Sequence, residues 1–409
     1  MSSGLPLVSI ITPSYNHAPY IRQTIDSVFA QDYLHVEQIV ADGGSTDGTV
    51  EILKEYAARY PERFRWVSER DRGQSHAFNK GLAMARGEFI GWQNSDDYYL
   101  PNVFAEPIHY LLAHPNTSAV FGEVRMLDER TGKLVQQFPG GRFDYGRLLE
   151  DNYIPNQALF MRRSVLDACG GLDERLHYAM DYDLYLRLGV DHRVAYLPAT
   201  RGIWRSTPNV KTVAGLIHAL RERVAIVERA IQNPALSPEL AARGRVAIQR
   251  HIFSALVEEL VHGNDARAGD LLHTALRYDP GFSQWPTLYS KLLMQESMIG
   301  FWLGKAPNGN ASTVPARLVT LLRAEGLART AYARQTRSVA ELALIAGSRP
   351  SLRTAIPHIL RVAQTDPARL GSVGARLGAL RIFQGDRLVT LQSFVAQVRA
   401  ARAKSRTLR

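Results

Sequence analysis

One cysteine, Cys169, serves the whole chain of 409 residues, which excludes an internal disulfide and a cysteine-based zinc site. It stands in DACGGLD beside two glycines and reads as a small buried residue. No run approaches the ~18 consecutive apolar residues of a membrane-spanning helix. The opening residues, MSSGLPLVSIIT, lack a basic start followed by a long apolar segment, so no secretory signal is read and the cytoplasm is the expected compartment. A Gly-rich triphosphate loop after the first strand is also missing, which argues against a nucleotidyltransferase. GGSTDG follows the second strand and has no Gly-Lys-Ser/Thr after it, which argues against a P-loop NTPase. Aromatics are few among the basic residues of the second half, so no nucleic-acid partner is expected.

What is present fits a soluble globular protein: 45% hydrophobic and 22% charged residues, long enough for two domains. The net charge of +10 is uneven, with −5 over residues 1–210 and +15 over 211–409. Such asymmetry fits an anionic partner for the second half, such as an anionic membrane surface. Solubility of Arg-rich helices accounts for it equally well.

The first half alternates short apolar runs with helical periodicity. LVSIIT (7–12) is β-branched and continuous, as in a strand buried on both faces. APYIRQTIDSVFAQ (18–31) carries Ile21, Ile25, Val28 and Phe29 at helical spacing. EQIVADGGSTDGTVEILKEYAARY (37–60) reads as strand, Gly-rich turn and helix, the helix capped by Thr46 or Asp47. FRWVSE (64–69) is a third strand, GQSHAFNKGLAMAR (73–86) a helix and GEFIGWQ (87–93) a fourth strand. Repeated strand–helix units predict an α/β fold with a doubly wound, mostly parallel sheet. Ligands of such sheets sit outside the carboxyl ends of the strands. TPSYNH (12–17), DGGSTDGT (42–49), ERDRGQS (69–75) and NSDD (94–97) should then share one edge.

ERLHYAMDYDLYLRLG (174–189) predicts a later helix. After WRSTPNVKT (204–212) strand signals fade, and 213–231, 239–261 and 265–278 read as helices. A Pro-, Gly- and Asn-rich loop (304–316) precedes a further basic helical stretch. The expected division is therefore a domain over 1–212 and a basic, mainly helical domain over 213–409.

The adjacent acids Asp96 and Asp97 follow an apolar strand, where unpaired carboxylates are costly. A divalent metal carrying a diphosphate would cancel their repulsion, since Mn²⁺ or Mg²⁺ binds through one or two carboxylates plus phosphate oxygens.

In sequence order, VSIITPSYN, DGGSTDGT, DRGQSHAFNKG, ARGEFIGWQNSDD, GGLDE and MDYDLYLR resemble glycosyltransferase family 2 over residues 5–212, about half the chain. The resemblance implies an inverting enzyme of GT-A fold. Its donor would be a nucleotide sugar (UDP-, GDP- or dTDP-linked), and its acceptor a hydroxyl of a glycan or lipid-linked acceptor.

The resemblance sets Pro13, Tyr15 and Asn16 against the nucleotide, and Asp42 on the nucleobase or ribose. Asp71 falls where the family holds an acid near the donor, while Asn79 and Lys80 would face the diphosphate or sugar. In Asn94-Ser95-Asp96 the first acid of the usual Asp-x-Asp is lost, so Asp96 is the leading metal ligand, Asp97 its helper, and Ser95 a substrate contact. His76 stands where many relatives carry Asp. Trp204 and Arg205 match a late feature near the donor phosphates.

Met180-Asp181 matches the family's acidic pair, leaving Asp181 as the catalytic base. Asp183 is read as structural, tied to Arg187 four residues on. Because Asn94 and Met180 replace acids, a non-catalytic sugar-nucleotide binder or scaffold stays open as an alternative.

Overall fold

The computed structural model describes residues 4–129, 131–138, 140–206, 215–278, 320–321, 381–384 and 387–390. The loop 304–316 and the basic stretch following it, apart from these short segments, lie outside the described residues. The chain divides into two compact units, 1–248 and 249–409.

In the first unit, β1 (Val8–Ser14) and β2 (Val36–Asp42) are buried at every residue, as their apolar runs predict. Helix α1 (Ala18–Phe29) lies between them in sequence and buries Ile21, Thr24, Ile25 and Val28. Next come α2 (Thr49–Arg59), β3 (Phe64–Ser68), α3 (Gln74–Met84) and β4 (Phe89–Trp92). These four strands pair in parallel in the order β3-β2-β1-β4. Their carboxyl ends therefore share one edge. Helix α3 comes so close to β1 that a Cβ on Gly81 would lie 2.6 Å from Cγ2 of Ile11, so only glycine fits there.

The later half of this unit makes the sheet mixed. Its elements are β5 (Tyr98–Tyr99), α4 (Ala105–Ala113), β6 (Thr117–Asp128), β7 (Lys133–Phe138), α5 (Tyr145–Glu150), a 3₁₀ turn (Asn156–Ala158), β8 (Leu159–Arg162), α6 (Arg163–Ala168), α7 (Met180–Asp191) and β9 (Arg193–Ser206). The sheet continues from β4 through β8, β6 and β9 to β5, with β7 on β6. β8 is antiparallel to both β4 and β6, whereas β9 runs parallel to β6. One core cluster joins Val8, Ile10, Phe89, Phe104 and Phe160 across these halves.

Helix α8 (Leu216–Ile231) belongs to this unit, although it lies past the boundary near 212 read from sequence. Ion pairs hold it: Arg223 Nη1 donates to Asp151 Oδ1 at 2.6 Å, and Arg229 pairs with Asp183. Helices α9 (Pro238–Val261) and α10 (Asp265–Tyr278) follow, so among the described residues the elements from Leu216 to Tyr278 are helices. Far along the second half, β10 (Arg381–Gln384) and β11 (Arg387–Thr390) pair antiparallel within a stretch read as helical.

Candidate active site

At the carboxyl edge, the β1 and β2 loops are tied together. Asn16 adopts a left-handed backbone (φ 53°). Its N–H donates to Ser45 Oγ at 2.7 Å, and its Oδ1 accepts from Thr46 N–H at 2.9 Å. Asp47 accepts from the N–H groups of Ala18 and Thr49, thereby serving the starts of both α1 and α2. Tyr15 beside it is 61% exposed, a large aromatic left uncovered at the sheet edge. Gly43 is wedged between Tyr15 and Asp71: a Cβ there would lie 3.2 Å from the Tyr15 ring and 2.7 Å from Asp71 Oδ2. Tyr15 and Asp71 thus flank one backbone segment, with Asp71 Oδ1 held by Gly73 N–H at 2.8 Å.

Several residues expected to meet the donor are used internally. Asp42 is fully buried and accepts from Gly44 N–H, Ser45 N–H and the Ser45 and Ser68 hydroxyls. Three of these bonds fall on Oδ2 and one on Oδ1, so Asp42 shapes the 43–47 loop. Asn79 clasps Leu172 through both backbone groups, at 2.9 Å each, and reaches Glu174. Lys80 pairs with Glu69 at 3.3 Å. Pro13 is a buried strand residue opposite Ala41. Arg205 is buried and engaged by Glu129 and Gln23 beneath the Tyr98 ring.

The acids after β4 have separated. Asp97 is 1% exposed and accepts from Arg205 N–H at 2.9 Å, Gln157 Nε2 at 2.6 Å and Asn94 Nδ2 at 3.2 Å. Burial and the neighbouring Asp96 charge push its carboxyl above the usual range, while its donors pull it back. Ser95 is buried with its hydroxyl 2.6 Å from His17 Nδ1. Asp96 is half-buried, and its carboxylate has no hydrogen bond among the described residues. No group of three His, Cys, Asp or Glu side chains gathers as a metal cage among the described residues. A single carboxylate still fits Mn²⁺ or Mg²⁺ that takes its other ligands from phosphate and water. Asp97 spends its oxygens inside the protein, which leaves Asp96 as the acid of the pair with a carboxylate open to a cation.

Beside this edge is a cleft of about 270 Å³, lined by Trp92, Asn94, Tyr153, Tyr178 and Trp204 among others. Asp181 lines it too, near the start of α7. Its Oδ2 accepts from Asn152 Nδ2 at 2.9 Å and its Oδ1 from Tyr182 N–H at 2.8 Å. Burial raises the Asp181 carboxyl above the ordinary aspartate range, opposed by these donors and by the charge of Arg223. Met180 is buried next to it. Asp183 is buried, with Arg187 Nε 2.9 Å from its Oδ2, in keeping with a structural part. Sequence reasoning passed over Asn152 and Gln157, because uncharged amides in a loop carry no distinguishing pattern.

The model of the family described as glycosyl transferase family 2 matches residues 9–168. An uncharacterized protein of Mycobacterium tuberculosis is 34% identical over 253 residues, which cover 54% of this chain and 71% of that protein. An uncharacterized glycosyltransferase of Rickettsia typhi is 32% identical over 189 residues, covering 44% of this chain and 58% of its own. Among solved structures, S. aureus TarS 1–349 in complex with UDP-GlcNAc overlaps 82% of this chain and 90% of its own, at 18% identity and a TM-score of 0.49.

Proposed function

The chain belongs to glycosyltransferase family 2, and on that premise we propose that it transfers a sugar, with inversion, from a nucleoside diphosphate donor to a hydroxyl acceptor. The observation that carries this reading is Asp181, a carboxylate in the same cleft as Asn94 of the β4 end. In the reaction, the acceptor oxygen attacks the anomeric carbon as the bond to the donor phosphate breaks. Asp181 takes the hydroxyl proton on the face opposite the leaving group. Its raised carboxyl suits the task, since a base titrating nearer to neutrality is a stronger proton acceptor. Asp96 would hold a divalent cation, Mn²⁺ or Mg²⁺, whose charge neutralises the departing diphosphate. Tyr15 and Asp71 are the residues we assign to the nucleotide.

The cleft is rich in amides and aromatic rings, with Asp181 its only carboxylate among the lining residues. That lining suits sugar hydroxyls and ring faces and supports an uncharged glycan acceptor, free or lipid-linked. Assembly of a surface polysaccharide or another glycan at the cytoplasmic face is the setting we propose. Among the described residues no helix is long and apolar enough to cross a membrane.

A thermal-shift screen of UDP-, GDP- and dTDP-sugars, with and without manganese, tests the donor assignment, because a ligand of the folded state raises its melting temperature. No sugar nucleotide shifting the transition would count against it. A second reading, a non-catalytic sugar-nucleotide binder, is favoured by Met180 and Asn94 standing where the family carries acids. Donor binding without transfer to any acceptor would select it.

A further inference from the structure

We propose that Glu222 and Arg223, consecutive residues of α8, are positioning residues for Asp181. The inference rests on the base role proposed above, and both residues lie outside the 9–168 span of the family match.

Helix α7 starts at Met180, later than the 174–189 periodicity suggests, and its N-cap, Ala179, offers no side-chain cap. The backbone before it turns on one carboxylate instead. His177 N–H donates to Glu222 Oε1 at 2.8 Å, and the N–H groups of Tyr178 and Ala179 donate to Oε2 at 2.8 Å each. Three successive N–H groups converging on one anion form a concave anion-binding turn, and negative charge is favoured at a helix start. Glu222 thus fixes the N-cap of α7, Ala179, two residues before Asp181. Tyr178, held by this turn, lines the cleft with Asp181.

Arg223 works from the other side. Its Nη1 donates to Asp151 Oδ1 at 2.6 Å, and Asn152, the next residue, donates to Asp181. The guanidinium also lies 5.8 Å from the centre of the Tyr182 ring. Its path to the base therefore runs through Asp151 and Asn152, and its charge favours the ionised form of Asp181. Among the described residues, titratable groups around the base include Asp151, paired with Arg223, and the phenols of Tyr182 and Tyr185 on α7, with Tyr153 and Tyr178 across the cleft. Arg223 is, among the described residues, a cation whose charge acts on Asp181. An exposed ion pair contributes little, but the Arg223 side chain is only 24% exposed.

The full chain, labelled with ¹³C at the aspartate carboxyl carbons, is titrated by NMR, with Asp181→Asn assigning the resonance. Arg223→Met and Arg223→Gln should each move the Asp181 midpoint to higher pH by about one unit, and Arg223→Lys should restore most of it. Midpoints unmoved in folded neutral variants would overturn the electrostatic role. For Glu222, transfer from the sugar nucleotide that stabilises the protein most is measured with octyl β-glucoside as acceptor. Glu222→Gln should cut kcat by about 10-fold or more with KM for the donor unchanged. Equal losses in donor binding and kcat would make Glu222 merely structural and overturn its role. If Asp181→Asn transfers normally, the base role falls and the positioning role with it, a failure distinct from an unmoved midpoint.

Discussion

Gln157 Nε2 donates to Asp97 Oδ2 at 2.6 Å, turning one of two adjacent acids into the protein, while Asp96 keeps a carboxylate with no hydrogen bond among the described residues. Neighbours in sequence therefore have opposite duties, Asp97 holding the loop and Asp96 facing the donor chemistry we propose.

Removing Asp96 should remove the metal-linked part of donor binding. Asp96→Ala is expected to bind nucleoside diphosphate equally with and without manganese, with little change in melting temperature. Calorimetry at matched metal concentration checks this, and an unchanged manganese response removes the assignment.

Asp97→Ala should act on stability instead. It strands Gln157 Nε2 and Arg205 N–H in a buried site, and each unsatisfied donor costs about 1–3 kcal/mol. Urea unfolding should show a loss of about 3 kcal/mol, with the m-value preserved.

Asp181→Asn keeps the shape of the side chain and loses its basicity. Donor affinity should stay close to wild type while transfer slows by roughly 10²–10⁴-fold. Both are measured on one preparation. Near-normal transfer by this variant would leave the reaction without its proposed base.

The raised carboxyl of Asp181 also makes a stability prediction. A group whose folded pKa lies above its unfolded value binds more protons when folded, so its contribution is full at low pH and lost as pH rises through the folded pKa. Asp181→Asn lacks that loss. Its melting temperature should gain on wild type as pH rises from the ordinary aspartate range, about 4, through the folded midpoint. A constant difference across that range would show that the two states titrate alike.

The +15 charge of residues 211–409 predicts salt-sensitive contact with an anionic membrane surface, each nearby Lys or Arg adding about 1 kcal/mol. Flotation with phosphatidylserine vesicles should carry the protein at low salt and release it at high salt. Binding that ignores salt would exclude this origin.

The sequence by itself determined the alternating strands and helices from β1 to β4, because continuous β-branched runs and helical periodicity are local signals. It also placed TPSYNH, DGGSTDGT and NSDD together, since parallel strands bring their carboxyl ends to one edge. What those side chains do there was decided by partners far along the chain. Asp97 is turned inward by residues 60 and 108 positions away, and Asn79 is taken by Leu172, 93 positions on. Asp183 was legible because Arg187 is its helical neighbour; Asp42, bound also by Ser68 of β3, was not. A carboxylate is the same letter whether it meets a ligand or a buried donor. Which of the two it meets depends on burial and on the nearest N–H, and only the packed structure supplies those.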